Sequence, residues 1–159
     1  MTDEFTEEMV DRYCPPELSG LVSFQIRLAQ LAVSRVFNEY MRETGLSHVQ
    51  YSSLRIIAAN DGITQKELAL ASGTPQTVMV GCLSRLEKAG LIERHRSEQD
   101  KRHYHIYLSS MGASLLKKYR NTSGRAHQEL VDGLSEREIK ALMTGLKHIA
   151  AKGMDKEAH

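Results

Sequence analysis

Between Thr64 and Gly90 the chain reads TQKELALASGTPQTVMVGCLSRLEKAG, and this stretch restricts the possible folds more than any other. Thr64 to Glu67 has the Thr-x-x-Glu form of a capping box, in which a hydroxyl and a carboxylate satisfy each other's backbone donors at a helix start. The short helix it opens stops at Ser72-Gly73. Thr74 can then cap, and Pro75 can occupy the first position of a second helix running to Ala89-Gly90. Two short helices meeting at a steep angle need a small residue where they cross, a glycine in the turn, and apolar residues on the inner face of the second helix. Ala69, Gly73, Met79 and Cys82 supply these, with Leu68 packing from the first helix. The spacing is that of a helix-turn-helix.

The 3.6-residue period then leaves Gln76, Thr77, Val80, Gly81 and Ser84 facing outward on the second helix. Such a set suits a DNA major groove, where glutamine can read adenine, a threonine or valine methyl can touch a thymine methyl, and glycine permits close approach. Two strands are expected next, over 91–96 and 103–108. The alternation His103, Tyr104, His105, Ile106, Tyr107, Leu108 predicts a half-buried strand, and the charged SEQDKR before it predicts an exposed hairpin tip. A helix pair followed by a hairpin with a basic tip is a winged helix-turn-helix.

The flanks read as helices. From Leu18 to about Glu43 the apolar residues form two stripes, Leu21, Phe24, Leu28, Leu31 and Val22, Ile26, Ala29, Val33, Val36 or Phe37, Tyr40, which predicts burial on two sides. Gly45 ends that helix, and Ser47 to Gln50 is a second capping box, opening a helix through Leu54 and Ile57 to the Asn60-Asp61-Gly62 turn. A long helix is expected from about Ser109, and a last one opens at Ser135-Glu136-Arg137-Glu138 with Ile139, Leu142, Met143, Leu146 and Ile149 behind it. The expected class is therefore mainly α (α+β). At 159 residues one domain is expected over 1–159. It divides into an acidic segment 1–17, helices 18–45 and 109–151, and a DNA-binding lobe 46–108.

Net charge is only +1, but its distribution is uneven. Residues 1–17 carry six acids against one base, whereas residues 94–120 carry seven bases against two acids. A local basic field is the footprint of a phosphate-binding surface, although on charge alone a solvated face is the favoured reading.

These features resemble the MarR family of bacterial transcription regulators. The resemblance spans roughly residues 18–150 and rests on RLEKAGLIER (Arg85–Arg94), DKR (Asp100–Arg102) and IYLSSMG (Ile106–Gly112). Family members show Asp-x-Arg in the wing and a strand ending in Leu-Ser/Thr-x-x-Gly. The resemblance implies that Arg102 enters the minor groove and that Asp100 holds the wing, in keeping with the attraction of narrow A·T-rich grooves for arginine. Together with the outward helix face, it implies a DNA-contacting set of Thr64, Thr74, Gln76, Thr77, Val80, Gly81, Ser84, Arg85, Arg94, Arg96, Asp100, Lys101 and Arg102. It further implies a homodimer built from the first and the last two helices, binding an inverted repeat. The surplus apolar surface of those helices points the same way.

One departure stands out. Many relatives carry arginine in the middle of the recognition helix where this chain has Gly81, beside Val80 rather than threonine, so base preference does not transfer. A helical glycine costs about 1 kcal/mol against alanine. Either packing, close approach to DNA or simple tolerance accounts for it.

The resemblance also implies a small aromatic or anionic effector bound between the dimer helices and the DNA lobe, with Arg55 and Tyr51 as candidate contacts, although a solvated Arg55 is the blander reading. Arg27 lies on a polar stripe and reads as solvated. No metal or cofactor is expected: histidines 95, 103 and 105 lack accompanying carboxylates or thiolates and read as wet and phosphate-facing. Cys82 reads as a small buried hydrophobe. Cys14, before Pro15-Pro16, leaves a redox-responsive regulator as an alternative, beside a winged-helix module that binds protein. No nucleophile triad, phosphate loop or paired carboxylate suggests an enzyme. The acidic start and the lack of any apolar run near the roughly 20 residues of a membrane span make the cytoplasm the default. Repressor and activator are not distinguished, with repressor the expectation from the resemblance.

Overall fold

A computed structural model describes residues 7–96 and 104–154. Two short helices, α1 (Glu7–Tyr13) and α2 (Pro16–Ser19), precede the long α3 (Val22–Tyr40) and a 3₁₀ turn (Arg42–Thr44). The lobe follows as α4 (His48–Ala59), β1 (Ile63–Thr64), α5 (Gln65–Ala71), α6 (Gln76–Lys88), β2 (Ile92–Arg96) and β3 (Tyr104–Leu108). The chain then runs through α7 (Ser110–Lys118), α8 (Arg120–Val131) and α9 (Glu136–Met154). The expected mainly α architecture with a winged helix-turn-helix lobe is the one observed.

Three of the four helix starts read from the sequence have the expected chemistry. Ser47 Oγ accepts from Gln50 N while Gln50 Oε1 accepts from Ser47 N. Thr64 and Glu67 make the same reciprocal pair, as do Ser135 and Glu138. The fourth start differs. Thr74 does not cap α6: its N–H bonds back to Ala69 O at 2.9 Å and its hydroxyl turns to Ser72 O at 3.4 Å. Gly73, at φ 60°, reverses the chain so that Thr74 closes α5 instead. Pro75 then stands as the N-cap, and its carbonyl accepts from Val78 and Met79.

Three further expectations change. The first long helix is interrupted at Gly20, so α2 and α3 are separate. The helix after Ser109 breaks at Tyr119 (φ −98°, ψ 10°), where the Tyr119 hydroxyl reaches across to Glu43 Oε2 at 3.1 Å. A third strand, β1, is also present. It pairs Ile63 with Ile106 and Thr64 with His105, giving an antiparallel sheet in the order β1-β3-β2. Two residues are too few to show a period, which is why alternation does not announce it.

The core lies inside the lobe. Leu54 and Ile57 of α4, Leu68 of α5, Met79, Leu83 and Leu86 of α6 and Ile106 of β3 are all at most 1% exposed, and Phe37 and Met41 close it from the end of α3. Cys82 is 1% exposed beside Ser53, as a buried hydrophobe should be, and desolvation pushes its thiol pKa up. Outside the lobe the apolar surface is incompletely covered. Leu21, Val22 and Leu31 on the first helices and Leu142, Met143, Leu146 and Ile149 on α9 are 39–62% exposed.

The root of the wing is joined to α7 by Ser109. Its hydroxyl donates to Gly90 O at 2.6 Å and accepts from Gly112 N at 3.0 Å. Gly112 has no room for a side chain, since an added Cβ would strike the Leu91 carbonyl oxygen and lie 2.8 Å from Leu108 Cδ1. Gly112→Ala should therefore destabilise the protein by about 1–3 kcal/mol, the usual range for overpacking, read as a lower midpoint in urea unfolding. An unchanged midpoint would show that the first turn of α7 can shift away from Leu91.

The capping carboxylates bear on acid stability. The Thr64 backbone N–H, and after it the Thr64 hydroxyl, hold Glu67 below the usual carboxylate range. The Ser135 hydroxyl, then its N–H, does the same for Glu138. Folded values below unfolded ones mean that the stabilisation is complete above the unfolded carboxylate pKa, about 4.3, and is lost as pH falls through the lowered values. The Glu67→Gln, Glu138→Gln double variant should consequently lose stability less steeply than the parent when urea midpoints are followed into acid. Parallel curves would exclude the caps as acid-labile points.

Candidate nucleic-acid interface

Helix α6 has two distinct faces. Met79, Cys82, Leu83 and Leu86 are buried against the lobe core, while Gln76, Thr77, Val80, Ser84 and Arg85 are exposed and Gly81 lies half-exposed among them. The turn at Gly73 and the crossing at Ala69, 3% exposed, set α6 against α5 so that its polar side is free of the rest of the molecule. Val78 shares that exposed surface at 50% and was not among the expected contacts. Its position one residue before Met79, on the flank of the period, is the signal that would have found it.

Gly81 has no packing reason to be glycine. A Cβ placed there would find only Arg85 Nη2, at 4.0 Å. Of the three accounts open at the sequence level, packing is removed; close approach to a ligand and simple tolerance remain.

Thr64 caps α5 and Thr74 precedes α6, both half-buried, with hydroxyls engaged in the Glu67 capping box and at Ser72 O. The wing hairpin is paired from Ile92 opposite Leu108 to Arg96 opposite Tyr104. Asp100, Lys101, Arg102 and His103 lie outside the described residues. Arg94 differs from its expectation of a free DNA contact. Its Nε stands 3.0 Å from Glu87 Oε2, an ion pair without hydrogen-bond alignment, and this tie runs from β2 back to the last turn of α6.

The histidines also divide. His105 is half-buried with Nδ1 2.8 Å from the Gly62 carbonyl, which can only accept, so the Nδ1 proton is committed inside the lobe. It does not face phosphate. His95 is exposed, 3.2 Å from Glu93 Oε2 and 4.9 Å between ring centroids from Tyr107.

Tyr51 and Arg55, paired as candidate effector contacts, are separated by the structure. Tyr51 is 6% exposed, its ring lies against Phe37, and its hydroxyl donates to Ser123 Oγ of α8 at 3.0 Å. Arg55, one turn on, is exposed and lines a pocket with Ala58, Ala59, Leu116, Lys117 and Arg120. Lys117 and Arg120 enter the sequence reading only as part of the basic run. Arg27 is exposed, as expected. Among the described residues no group of three or more His, Cys, Asp or Glu converges as a metal site, and no helix is long and apolar enough to cross a membrane.

Comparisons with known proteins agree with this geometry. The model of the MarR family matches residues 46–104, which is the lobe. The chain is 30% identical over 133 residues to a protein of Thauera aromatica named as the transcriptional regulatory protein for the hcr operon, covering 83% of this chain and 80% of that one. The transcriptional repressor CouR, solved bound to a 23-mer DNA duplex, is 31% identical with a TM-score of 0.77, over 85% of this chain and 96% of CouR. BpsR of Bordetella bronchiseptica, whose DNA binding is regulated by 6-hydroxynicotinic acid, has the same fold at 19% identity, with a TM-score of 0.80 over 86% and 97% of the two chains. The two-faced α6, the paired wing and the extent of these matches lead to one assignment: the chain belongs to the MarR family of DNA-binding transcriptional regulators.

Proposed function

We propose that this regulator is a ligand-responsive repressor that acts in the cytoplasm and binds an inverted-repeat operator as a homodimer. The observation that carries the dimer is the incomplete cover of α3 and α9: Leu31, Leu142, Met143, Leu146 and Ile149 form exposed apolar rows outside a lobe whose own core is closed. A second copy buries such rows, and a two-fold dimer matches a two-fold operator. In this reading 46–108 is the DNA-binding lobe, and 18–45 with 109–151 provides the dimer helices. Repression follows the role of CouR, at 31% identity, and ligand response follows the regulation of BpsR by 6-hydroxynicotinic acid.

The base-reading residues proposed are Gln76, Thr77, Val80 and Gly81, with Ser84, Arg85, Thr64 and Thr74 towards the phosphates. Arg96, Lys101 and Arg102 extend the contact along the wing, Arg102 in the minor groove and Asp100 as its brace. Arg94 serves by holding the wing root to α6 through Glu87.

Selection from random duplexes tests the whole reading. It should return an inverted repeat with half-sites about one helical turn apart. The Leu142→Glu, Leu146→Glu variant should sediment as a monomer and lose that selectivity. A single unrepeated site, or an intact dimer after the double change, would overturn the proposed assembly.

Gly81 offers a sharper test because fold and function should move in opposite directions. The open space at its Cβ position means that Gly81→Ala gains helix propensity without a clash, about 0.5–1 kcal/mol. If the backbone here approaches the groove closely, the same methyl weakens operator binding, on the order of tenfold. The variant should thus melt higher and bind worse. Higher melting with unchanged affinity would make Gly81 a tolerated residue with no part in recognition.

A further inference from the structure

Arg85 lies in the last turn of α6, whereas a recognition helix meets base edges chiefly with its N-terminal residues. By the place of its Cα, Arg85 belongs with the phosphate-facing side chains. Its guanidinium lies elsewhere. Nη2 stands 4.0 Å from the point where a Cβ of Gly81 would be, and among the described residues no other side chain beyond the chain neighbours of Gly81 comes as near. The side chain therefore folds back one turn, about 6 Å along the axis. Its charge is level with Gly81, half-exposed in the middle of the polar face.

The sequence gives that direction a cause. Long helical side chains lean toward the N-terminus, over the residues three and four positions back. Here those are Cys82, which is buried, and Gly81, which has no side chain to obstruct the guanidinium. Positions 81, 82, 88 and 89, which a helix sets beside Arg85, carry no acid, and Lys88 repels it from the C-terminal side. Glu87, the nearest acid in the sequence, is paired with Arg94. The Cys82 thiol feels the same placement: desolvation raises its pKa, while the Ser53 hydroxyl and then the Arg85 charge act against that rise.

A guanidinium in the middle of that face has a narrow choice of partners. Phosphates border the groove, and base edges form its floor. Guanine presents two acceptors, N7 and O6, spaced for the parallel N–H groups of an arginine fork. Adenine offers N7 beside an amino donor, which opposes one arm of the fork. With only hydrogens on Gly81, the fork and a base edge can share the space that a side chain would take. We propose that Arg85 reads one guanine in each operator half-site, and that Gly81 is the cleared seat of its guanidinium. The assignment rests on α6 as the base-reading helix; within it, Arg85 moves from the phosphate-facing to the base-reading residues.

Selection from random duplexes, followed by fluorescence anisotropy, tests it. The parent should select a guanine at one position of each half-site and bind about tenfold or more weaker when that guanine is replaced by adenine. Arg85→Lys keeps the charge without the fork. It should bind random duplexes as the parent does, yet distinguish guanine from adenine at that position by no more than about twofold. Full discrimination by Arg85→Lys overturns the assignment. So does an Arg85→Ala variant that loses affinity equally on operator and random DNA while its dependence of log K on log salt becomes shallower by about 1, the behaviour of a phosphate contact.

Gly81→Val, a β-branched residue in the seat, should weaken operator binding about as much as Arg85→Lys, and the two together should cost little more than either. Losses that multiply instead separate Gly81 from Arg85 and overturn its part. Circular dichroism should show the parent helix content in every variant, since neither position is buried. If the parent selects no sequence, α6 is not the base-reading helix and the assignment falls with that reading. If it does select one, and Gln76→Ala relaxes the preference while the Arg85 variants leave it intact, the reading of α6 stands and the assignment alone is overturned.

Discussion

The geometry of the DNA-binding face depends on one small junction, the bonds that Ser109 makes to the end of the recognition helix. Its hydroxyl holds Gly90 O and Gly112 N, its own N–H donates to Leu91 O, and Leu91 N returns to Leu86 O inside α6. Four bonds within a few residues thus join the C-terminus of α6, the start of the wing and the N-terminus of α7. Two of them, to Gly112 N and to Leu86 O, satisfy helix-end groups that would otherwise be orphaned. With α6 and the wing fixed to the same point, neither can tilt alone. The Arg94–Glu87 pair adds a second tie between the same two elements at the surface. Gly112 belongs to this junction as much as Ser109 does, because any side chain there would force α7 off Leu91. The Leu-Ser-x-x-Gly pattern therefore marks a packing constraint rather than a contact with DNA.

Burial divides the molecule into two parts of unlike completeness. The lobe closes its own core, with Leu54, Ile57, Leu68, Met79, Leu83 and Leu86 out of reach of solvent. The outer helices do not: α9 leaves four large apolar side chains at 39–50% exposure. Area removed from water is the main stabilising quantity, at about 25 cal/mol per Å², so such rows are a standing drive to associate. Specific phenol bonds tie the elements together: Tyr51 joins the lobe to Ser123 of α8, while Tyr40 to Glu129 and Tyr119 to Glu43 link α8 and its preceding break to α3 and the 3₁₀ turn within the outer helices. Phenols suit this role, since the ring packs while the hydroxyl retains a directional bond.

What could be read from the sequence follows the range of the interactions. Capping boxes at Ser47, Thr64 and Ser135 are written within four residues and were found where expected. The inner face of α6 was also readable, because period and small-residue placement are local properties of one helix pair. Features set by distant partners were not. The break at Tyr119 involves Glu43, and β1 exists only by pairing with Ile106 and His105; Thr74 is the local exception, diverted because Gly73 turns its N–H onto Ala69 five residues back. The site was readable in the same uneven way. The exposed residues of α6 follow from periodicity, but the separation of Tyr51 from Arg55 follows from Ser123, seventy-two positions away. Nothing in a helical wheel of α4 announces that partner.

The basic stretch from Arg94 to Arg120 shows why a charge count misleads about contacts while remaining sound about fields. As a run of seven bases it suggests one phosphate-binding surface. Folded, it is dispersed: Arg94 is held by Glu87, Lys118 lies over Tyr119, and Lys117 with Arg120 turns to the pocket beside Arg55. Arg96 closes the described paired part of the wing opposite Tyr104, and Lys101 and Arg102 follow it in the sequence. Exposed charges more than about 8 Å apart are largely screened from one another at physiological salt, so contacts are set by each cation's own neighbours. The cations still add to the long-range potential that brings a polyanion to the lobe at low salt. Steering therefore belongs to the whole stretch, whereas the recognition proposed for α6 and the wing rests on a few positioned side chains, and a charge substitution at the pocket should leave it intact.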